Sequence, residues 1–147
     1  MLKTDCGAAL RLAAFHMQSN EPDAGGWRGS VVLVSSTSGY TGGTEVVSYV
    51  SSKHGVIGLL RSTHEETRRR CIRVNGVAPF ITPTYITGGY SDAWIAEGLP
   101  TNSTDGVASA IMHVSFDEKI QGHCYMVRAE LPSNLLPTDV AILGDWR

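Results

Sequence analysis

Two short runs of β-branched residues, separated by a helical stretch, constrain the fold of this chain more than any other feature. The runs are "SVVLVSS" (Ser30–Ser36), which has no polar alternation, and "IRVNGVAPF" (Ile72–Phe80), which is closed by Pro79. Runs of this kind are typical of strands that are covered on both faces, as in a parallel sheet. The stretch between them predicts a helix from about Glu45 to Arg70, so the segments together indicate a right-handed parallel crossover.

The rest of the chain continues this alternation. Apolar residues at helical spacing predict a helix over residues 1–17. "TDGVASAIMHVSF" (Thr104–Phe116) predicts another helix, capped by Ser103 or Thr104, and "GHCYMV" (Gly122–Val127) predicts a further buried strand. The order predicts an α/β fold in a single domain over residues 1–147. It is a partial Rossmann-like parallel sheet of about three strands, flanked by helices.

Two stretches of the sequence lack a periodic pattern. Residues 81–103 are interrupted by prolines and glycines and are predicted to be irregular. Residues 130–147 contain Pro132 and Pro137 and are predicted to form a tail that wraps the surface.

Composition and charge exclude several classes of function. The chain has 147 residues, is 42% hydrophobic and carries a formal net charge of −2, which fits a globular domain and argues against a nucleic-acid partner. No apolar run is long enough for a membrane span. The cysteines Cys6, Cys71 and Cys124 lie far apart without metal-ligand spacing, which predicts reduced thiols in a cytoplasmic protein and no metal site.

Tyr49 and Lys53 form the first candidate for a catalytic pair. Residues four apart on a helix share a face. A lysine ammonium beside a phenol favours the ionised form, and a phenol tuned in this way exchanges a proton with an alcohol or carbonyl near neutral pH. Helices also carry this spacing by chance, so two surface side chains are the alternative. Ser35 and Ser36 end the first strand, where open α/β sheets bind their ligands, and a serine there is placed to hydrogen-bond a substrate oxygen.

Three segments in order, "VVLVSSTSG", "SYVSSKHGVIGL" and "IRVNGVAP", resemble the consecutive catalytic segments of the short-chain dehydrogenases/reductases. The resemblance implies catalytic roles for Ser36, Tyr49 and Lys53. Ser36, thirteen residues before Tyr49, would position and polarise the substrate oxygen. Tyr49 would be the general acid/base, and Lys53 would support it and bind the ribose of a nicotinamide cofactor.

The same resemblance implies the cofactor NAD or NADP. "PFITPT" (Pro79–Thr84) matches the family's segment that contacts the nicotinamide carboxamide. The implied cofactor-binding residues are Tyr49, Lys53, Pro79, Thr82 and Thr84. Residues 81–103 match the family's substrate lid, where aromatic side chains suit an apolar or ring-bearing alcohol or ketone; plain packing is the alternative. A homodimer through the Tyr49 helix and the preceding helix is also implied.

The sequence departs from the family pattern at several places. None of its glycine clusters, "DAGGWRG", "SGYTGG" and "ITGGY", has the position of the glycine-rich dinucleotide fingerprint. We therefore expect a truncated catalytic part without the N-terminal half of the dinucleotide fold, in which the family's asparagine would fall near Leu2 or before it. Phe80 replaces a glycine and is expected to crowd the nicotinamide side. Cys71 replaces a glycine at the helix exit, at a cost of about 1 kcal/mol.

Three hypotheses for function follow. The first is an NAD(P)-dependent oxidoreductase that interconverts a secondary alcohol and a ketone. "WIAEGLPTNSTDGVASAIMH" resembles fungal members of secondary or lipid metabolism. The second is a non-catalytic remnant that serves as a dimerisation or interaction module, which predicts no nucleotide binding. The third is a cofactor-free acid–base enzyme, an isomerase, dehydratase or cyclase, that uses Ser36, Tyr49 and Lys53.

Overall fold

The computed structural model describes residues 5–41, 46–128 and the backbone of 140–142. The position expected for the family's asparagine, near Leu2, lies outside these residues. The helices are α1 (Asp5–Met17), α2 (Val47–Arg69), α3 (Gly88–Ala96) and α4 (Thr104–Phe116). The strands are β1 (Gly29–Val34), β2 (Ile72–Pro79), β3 (Cys124–Val127) and β4 (Val140–Ile142), and short 3-10 turns span Thr37–Gly39 and Tyr85–Thr87.

The strands form a single sheet in the order β1-β2-β3-β4. β1 pairs with β2 in parallel from Gly29↔Ile72 to Val34↔Val77, and β2 pairs with β3 in parallel. The parallel sheet flanked by helices that the sequence predicts is therefore confirmed. β4 pairs antiparallel with β3, so residues 140–142 of the predicted tail add a strand to the edge of the sheet. The remainder of that tail lies outside the described residues.

Each face of the sheet carries its own hydrophobic cluster. Ile72, Val74 and Ala78 of β2 pack with α1 and α2, whereas Val77 packs with Ala110 and Val114 of α4 and their neighbours. Since successive strand residues point to opposite faces, helices on both sides of the sheet bury residues from both faces of β2.

Two polar residues of β2, Arg73 and Asn75, fasten the C-terminal end of α4. The Arg73 guanidinium donates to the carbonyl oxygens of residues 114, 115 and 117 at 2.6–3.3 Å. Asn75 Nδ2 donates to those of residues 114 and 120. These two side chains, which we call the α4 anchor, are 4% and 0% exposed. They satisfy carbonyls that the end of a helix leaves without intrahelical partners.

The exit of α2 has the strained backbone that the sequence predicts. Cys71 has φ of 59°, in the left-handed region that favours glycine. Its amide donates to the Arg68 carbonyl at 2.9 Å, and its own carbonyl accepts from Arg28 N at 2.7 Å. The chain therefore turns directly from α2 into β2.

Residues 81–103 are not irregular throughout, which corrects the sequence prediction. They contain α3 and the turn before it, which is closed by a bond of 2.8 Å from Thr84 N to Thr87 Oγ1. Gly88 and Gly89, read as chain breakers, form the first turn of α3, whereas Gly98, with φ of 71°, follows its end. α4 begins as predicted, with Ser103 Oγ accepting from Gly106 N at 3.0 Å.

None of the helices in the described part of the chain is both long enough and apolar enough to cross a bilayer.

Candidate active site

The carboxyl end of β1 presents two serines whose hydroxyl groups differ in what they bind. Ser35 Oγ donates to the Lys53 carbonyl at 3.0 Å and so fastens the strand end to α2. Ser36 Oγ accepts from Ser38 N at 3.2 Å as the cap of the 3-10 turn. Within the described residues the Ser36 hydroxyl has an acceptor role only, so its hydrogen remains available to a substrate oxygen.

Gly39 lets the turn after Ser36 lie directly against α2. A Cβ at this position would lie 2.5 Å from Ser35 Oγ and 2.8 Å from the Lys53 carbonyl oxygen. Both distances are too short for a side chain, so only glycine fits here without movement. Gly39 belongs to the motif "VVLVSSTSG", but no role was predicted for it; a glycine three residues after a strand-end serine was the available signal.

Lys53 is held by the backbone of β1. Its Nζ donates to the Val34 carbonyl oxygen at 3.0 Å. Ser35 N donates to the Val77 carbonyl of β2 at 2.8 Å. Because backbone groups alternate in direction along a strand, the Val34 carbonyl faces away from β2. On that side no strand of the described chain pairs with β1. This contact joins residues 19 positions apart and was not predicted from the sequence.

Tyr49 lies in the first turn of α2, beside Lys53. The Lys53 Nζ is 5.6 Å from the centroid of the Tyr49 ring, so the structure brings the predicted pair together. Tyr49 is 43% exposed, and no described residue hydrogen-bonds its hydroxyl. An ammonium has three N–H donors, of which Val34 takes one. Ser36, Tyr49 and Lys53, which we call the carboxyl-end cluster, therefore combine an open phenol, a free hydroxyl hydrogen and an ammonium with donors to spare.

A second tyrosine near this end of the sheet is unsuited to acid–base chemistry. Burial, and next the hydrogen bond with the Cys124 thiol, raise the pKa of Tyr40 well above its usual value. Burial likewise raises the pKa of Cys124. Both groups therefore stay protonated at neutral pH.

The segment Pro79–Thr84, at the end of β2 and just after it, is held both by β3 and by its own side chains. Phe80 N donates to the Val127 carbonyl at 2.8 Å, and the Thr82 hydroxyl donates to the Phe80 carbonyl at 2.9 Å. Thr84 is exposed, and its hydroxyl lies 3.2 Å from that of Thr87. Of the two threonines predicted to contact a nicotinamide, Thr82 thus has its hydroxyl hydrogen engaged, whereas Thr84 lies at the surface.

Phe80, where the family has a glycine, packs against α3. Its ring meets the Trp94 ring edge-on, with 5.6 Å between the centroids. Tyr90 stacks on the same Trp94 ring at 6.4 Å. Trp94 Nε1 donates to the Pro100 carbonyl at 3.0 Å. Residues 81–103 contain three aromatic residues, Tyr85, Tyr90 and Trp94. Trp94 is packed in this way, whereas Tyr85 is fully exposed at 102%.

Within the described residues, no group of three or more His, Cys, Asp or Glu side chains has a geometry that could hold a metal ion.

Comparison with known proteins covers both the site and the fold. Residues 9–93 match the family model described as short chain dehydrogenase. Short-chain dehydrogenase/reductase aba4 of Botryotinia fuckeliana is 47% identical over 121 residues, which are 81% of this chain and 46% of that protein. The chain spans less than half the length of the curated relatives it matches.

Solved structures are also similar to this chain in both fold and sequence. The crystal structure of 3-hydroxyacyl-CoA dehydrogenase type-2 from Mycobacterium avium is 30% identical, with a TM-score of 0.71 over 80% of this chain and 47% of that one. ElxO with NADP bound is 28% identical, with a TM-score of 0.65 over 80% of this chain and 49% of that one. Since the family match covers more than half of the sequence and includes all three residues of the carboxyl-end cluster, this chain belongs to the short-chain dehydrogenase/reductase family.

Proposed function

We propose that this chain supplies the catalytic part of an NAD(P)-dependent oxidoreductase that interconverts a secondary alcohol and a ketone. The observation that carries the proposal is the position of Lys53, whose Nζ lies between the Val34 carbonyl at 3.0 Å and the Tyr49 ring at 5.6 Å. This fixed ammonium stands beside an exposed phenol at the edge of the sheet where parallel α/β folds bind their ligands.

The residues of the carboxyl-end cluster divide the work of ketone reduction. The Ser36 hydroxyl donates a hydrogen bond to the carbonyl oxygen and so polarises it. Tyr49 gives its proton to that oxygen, and the Lys53 ammonium stabilises the phenolate left behind. A bound nicotinamide would supply the hydride. In the direction of alcohol oxidation, Tyr49 takes the proton.

The residues present fit one end of such a cofactor. Lys53 keeps N–H donors for ribose hydroxyls, and Thr84 is exposed after the end of β2. The similarity to ElxO with NADP bound supports a nicotinamide dinucleotide. The sequence contains no glycine-rich pyrophosphate fingerprint, so we assign no residue to the pyrophosphate and leave NAD and NADP as equal candidates.

The proposed substrate is apolar or ring-bearing. Tyr85, Ile86 and Tyr90 are 102%, 95% and 61% exposed around the start of α3. We propose that residues 81–103 form a substrate lid. The similarity to the aba4 protein of Botryotinia fuckeliana supports a fungal-type member. A role in secondary or lipid metabolism is our proposal from the sequence resemblance of residues 94–113.

We further propose a cytoplasmic homodimer. Cys6, Cys71 and Cys124 are all free, as expected in a reducing compartment. Exposed apolar side chains on α1, Leu12 at 59% and Phe15 at 62%, offer a contact surface for a second subunit. This surface also favours the alternative of a dimerisation module without catalysis.

Calorimetric titration with NADH and NADPH tests the main proposal. We expect binding to the monodisperse protein, weakened in Lys53→Met and followed by ketone reduction that Tyr49→Phe abolishes. A folded protein that releases no heat with either nucleotide would contradict redox catalysis by this chain. Turnover without nucleotide that is lost in Tyr49→Phe would favour a cofactor-free isomerase, dehydratase or cyclase.

A further inference from the structure

Asn102, next to the N-terminal end of α4, joins the ends of two strands. Its backbone N donates to the Ile81 carbonyl at 2.7 Å. Its side-chain Nδ2 donates to the Val127 carbonyl of β3 at 3.0 Å and reaches the Phe80 carbonyl and Thr82 Oγ1, each at 3.4 Å. The side chain is buried, with the residue only 4% exposed. A single amide therefore meets the end of β3 and the loop that leaves β2.

These contacts fix the orientation of the amide group. Nδ2 faces oxygen atoms of Val127, Phe80 and Thr82, so the flipped amide would place Oδ1 against two carbonyl oxygens. In the orientation observed, Oδ1 is buried and has no hydrogen-bond partner among the described residues. The acceptor atom of the amide, Oδ1, is thus unused, whereas the donor atom, Nδ2, bonds to the end of β3 and to the loop after β2.

Asn75 offers a contrast within the same fold. It is also buried, at 0% exposure, and its Nδ2 donates to two carbonyls. Its Oδ1, however, accepts from His123 N at 3.2 Å. Asn75 therefore uses both ends of its amide to stabilise the α4 region, whereas Asn102 bonds through the donor end of its amide, which joins the Val127 carbonyl of β3 to Phe80 and Thr82 in the segment after β2.

We propose that Asn102 is a positioning residue, which sets the conformation of the Phe80–Thr84 segment. β2 ends at Pro79; the next amide, of Phe80, still bonds to the Val127 carbonyl, and the segment is further held by side-chain bonds such as that from Thr82 Oγ1 to the Phe80 carbonyl. Asn102 holds this turn against β3. Any effect of Asn102 on nucleotide affinity rests on the proposed function, because we place the nicotinamide at this segment. The effect of Asn102 on the conformation of the segment is independent of that function.

Hydrogen exchange followed by mass spectrometry tests the proposal on the whole chain. Asn102→Ala removes the donor, and the isosteric Asn102→Asp replaces it with an acceptor. We expect exchange in peptides covering residues 80–87 to quicken by roughly tenfold in both variants, as suits the loss of a buried hydrogen bond. The matched control Asn75→Ala should quicken exchange in residues 114–123 and leave 80–87 unchanged.

Thr82→Val covers the case in which substitution of the buried amide prevents folding. It keeps the side-chain shape and removes the bonds to Phe80 and Asn102, so exchange in residues 80–87 should again quicken. Unchanged exchange there in every foldable variant would overturn the proposal. So would equal acceleration over the whole chain in Asn102→Ala and Asn75→Ala, since that would mean a general loss of stability.

NADH titration of the same variants separates this inference from the proposed function. If the wild type binds NADH, Asn102→Ala should raise its Kd about tenfold and Asn75→Ala less than about twofold. If the wild type binds no NADH while the exchange pattern holds, the oxidoreductase proposal fails and the positioning role stands.

Discussion

The carboxyl-end cluster and the α4 anchor are both built from polar side chains at the same small sheet, yet they are opposites. Arg73 and Asn75 of the anchor are buried, and they bond to backbone groups. In the carboxyl-end cluster, Tyr49 is 43% exposed, and no described residue bonds its hydroxyl. The comparison teaches that polar groups which stabilise a fold direct their bonds to the backbone around them, although Arg73 Nε has no partner among the described residues, whereas a site keeps bonds in reserve.

This contrast has an energetic basis. Removing a buried donor leaves its carbonyl partners unpaired, and each unpaired group lowers the free energy of unfolding by about 1–3 kcal/mol. An exposed side chain has water as a partner, so its removal changes stability by less than about 0.5 kcal/mol. The two regions should therefore respond to substitution in opposite ways: the anchor through stability, the cluster through turnover.

The largest effect is expected for Tyr49→Phe. Loss of a general acid typically lowers turnover about 10²–10⁴-fold, whereas the melting temperature should stay within about 1 °C because the hydroxyl has no described partner. Steady-state ketone reduction and calorimetric melting check both halves. Retained turnover, or a large loss of stability, would contradict the view that the carboxyl-end cluster serves catalysis and not the stability of the fold.

Arg73→Leu should have the largest effect on stability. It leaves the carbonyls of residues 115 and 117 without their Arg73 donor, while that of residue 114 keeps its bond from Asn75, so we expect a loss of about 3 kcal/mol in the free energy of unfolding. Urea unfolding measures the change. Arg69, which is 75% exposed beside Glu66, is the matched control, and Arg69→Leu should cost less than about 0.5 kcal/mol. Equal losses in the two variants would contradict the anchor role.

Gly39→Ala tests whether the two regions are fully separate. A Cβ would lie 2.5 Å from Ser35 Oγ, so we expect a loss of about 2 kcal/mol in stability together with reduced turnover as the Ser36 turn moves. Gly55→Ala in α2 is the control: its Cβ meets nothing within 4 Å, and it should stabilise by up to about 1 kcal/mol. Urea unfolding and turnover of both variants decide the outcome.

Cys71→Gly should give the smallest effect, and in the stabilising direction. Glycine adopts the left-handed backbone of this position, φ 59°, without the penalty of a Cβ, so we expect a gain of about 1 kcal/mol with turnover unchanged. Thermal and urea unfolding measure it. A loss of stability would show that contacts of the Cys71 side chain outweigh the backbone strain.

The sequence predicted what depends on local spacing. Tyr49 and Lys53 meet because residues four apart share a helix face, and the cap at Ser103 and the strained exit at Cys71 are likewise local. The buried strands were recognisable because they are rich in β-branched residues. The family motifs supplied Ser36 and the segment Pro79–Thr84, whose roles remain predictions.

The features that the sequence did not predict depend on distant partners or on exceptions to propensity. Arg73 bonds to residues 41–44 positions away, so nothing near "IRVNGVAP" indicates what it binds. The same holds for Asn102 and Val127, 25 positions apart. α3 was missed because Gly88 and Gly89 are poor helix formers, and the bond between Thr84 N and Thr87 Oγ1 that precedes the helix was not foreseen.

The long reach of Arg73 also has a consequence for the order of folding. Its bonds to the end of α4 close a loop of more than 40 residues, 73 to 114, and closing a long loop has an entropic cost that must be met before the contact forms. The last turn of α4 gains its partners only when β2 is already in place. We therefore expect this turn to form after the folding transition state, whereas α2 and its contacts with β2 form early. In a mutational analysis of folding rates, the ratio of the change in activation free energy to the change in stability should be near zero for this turn.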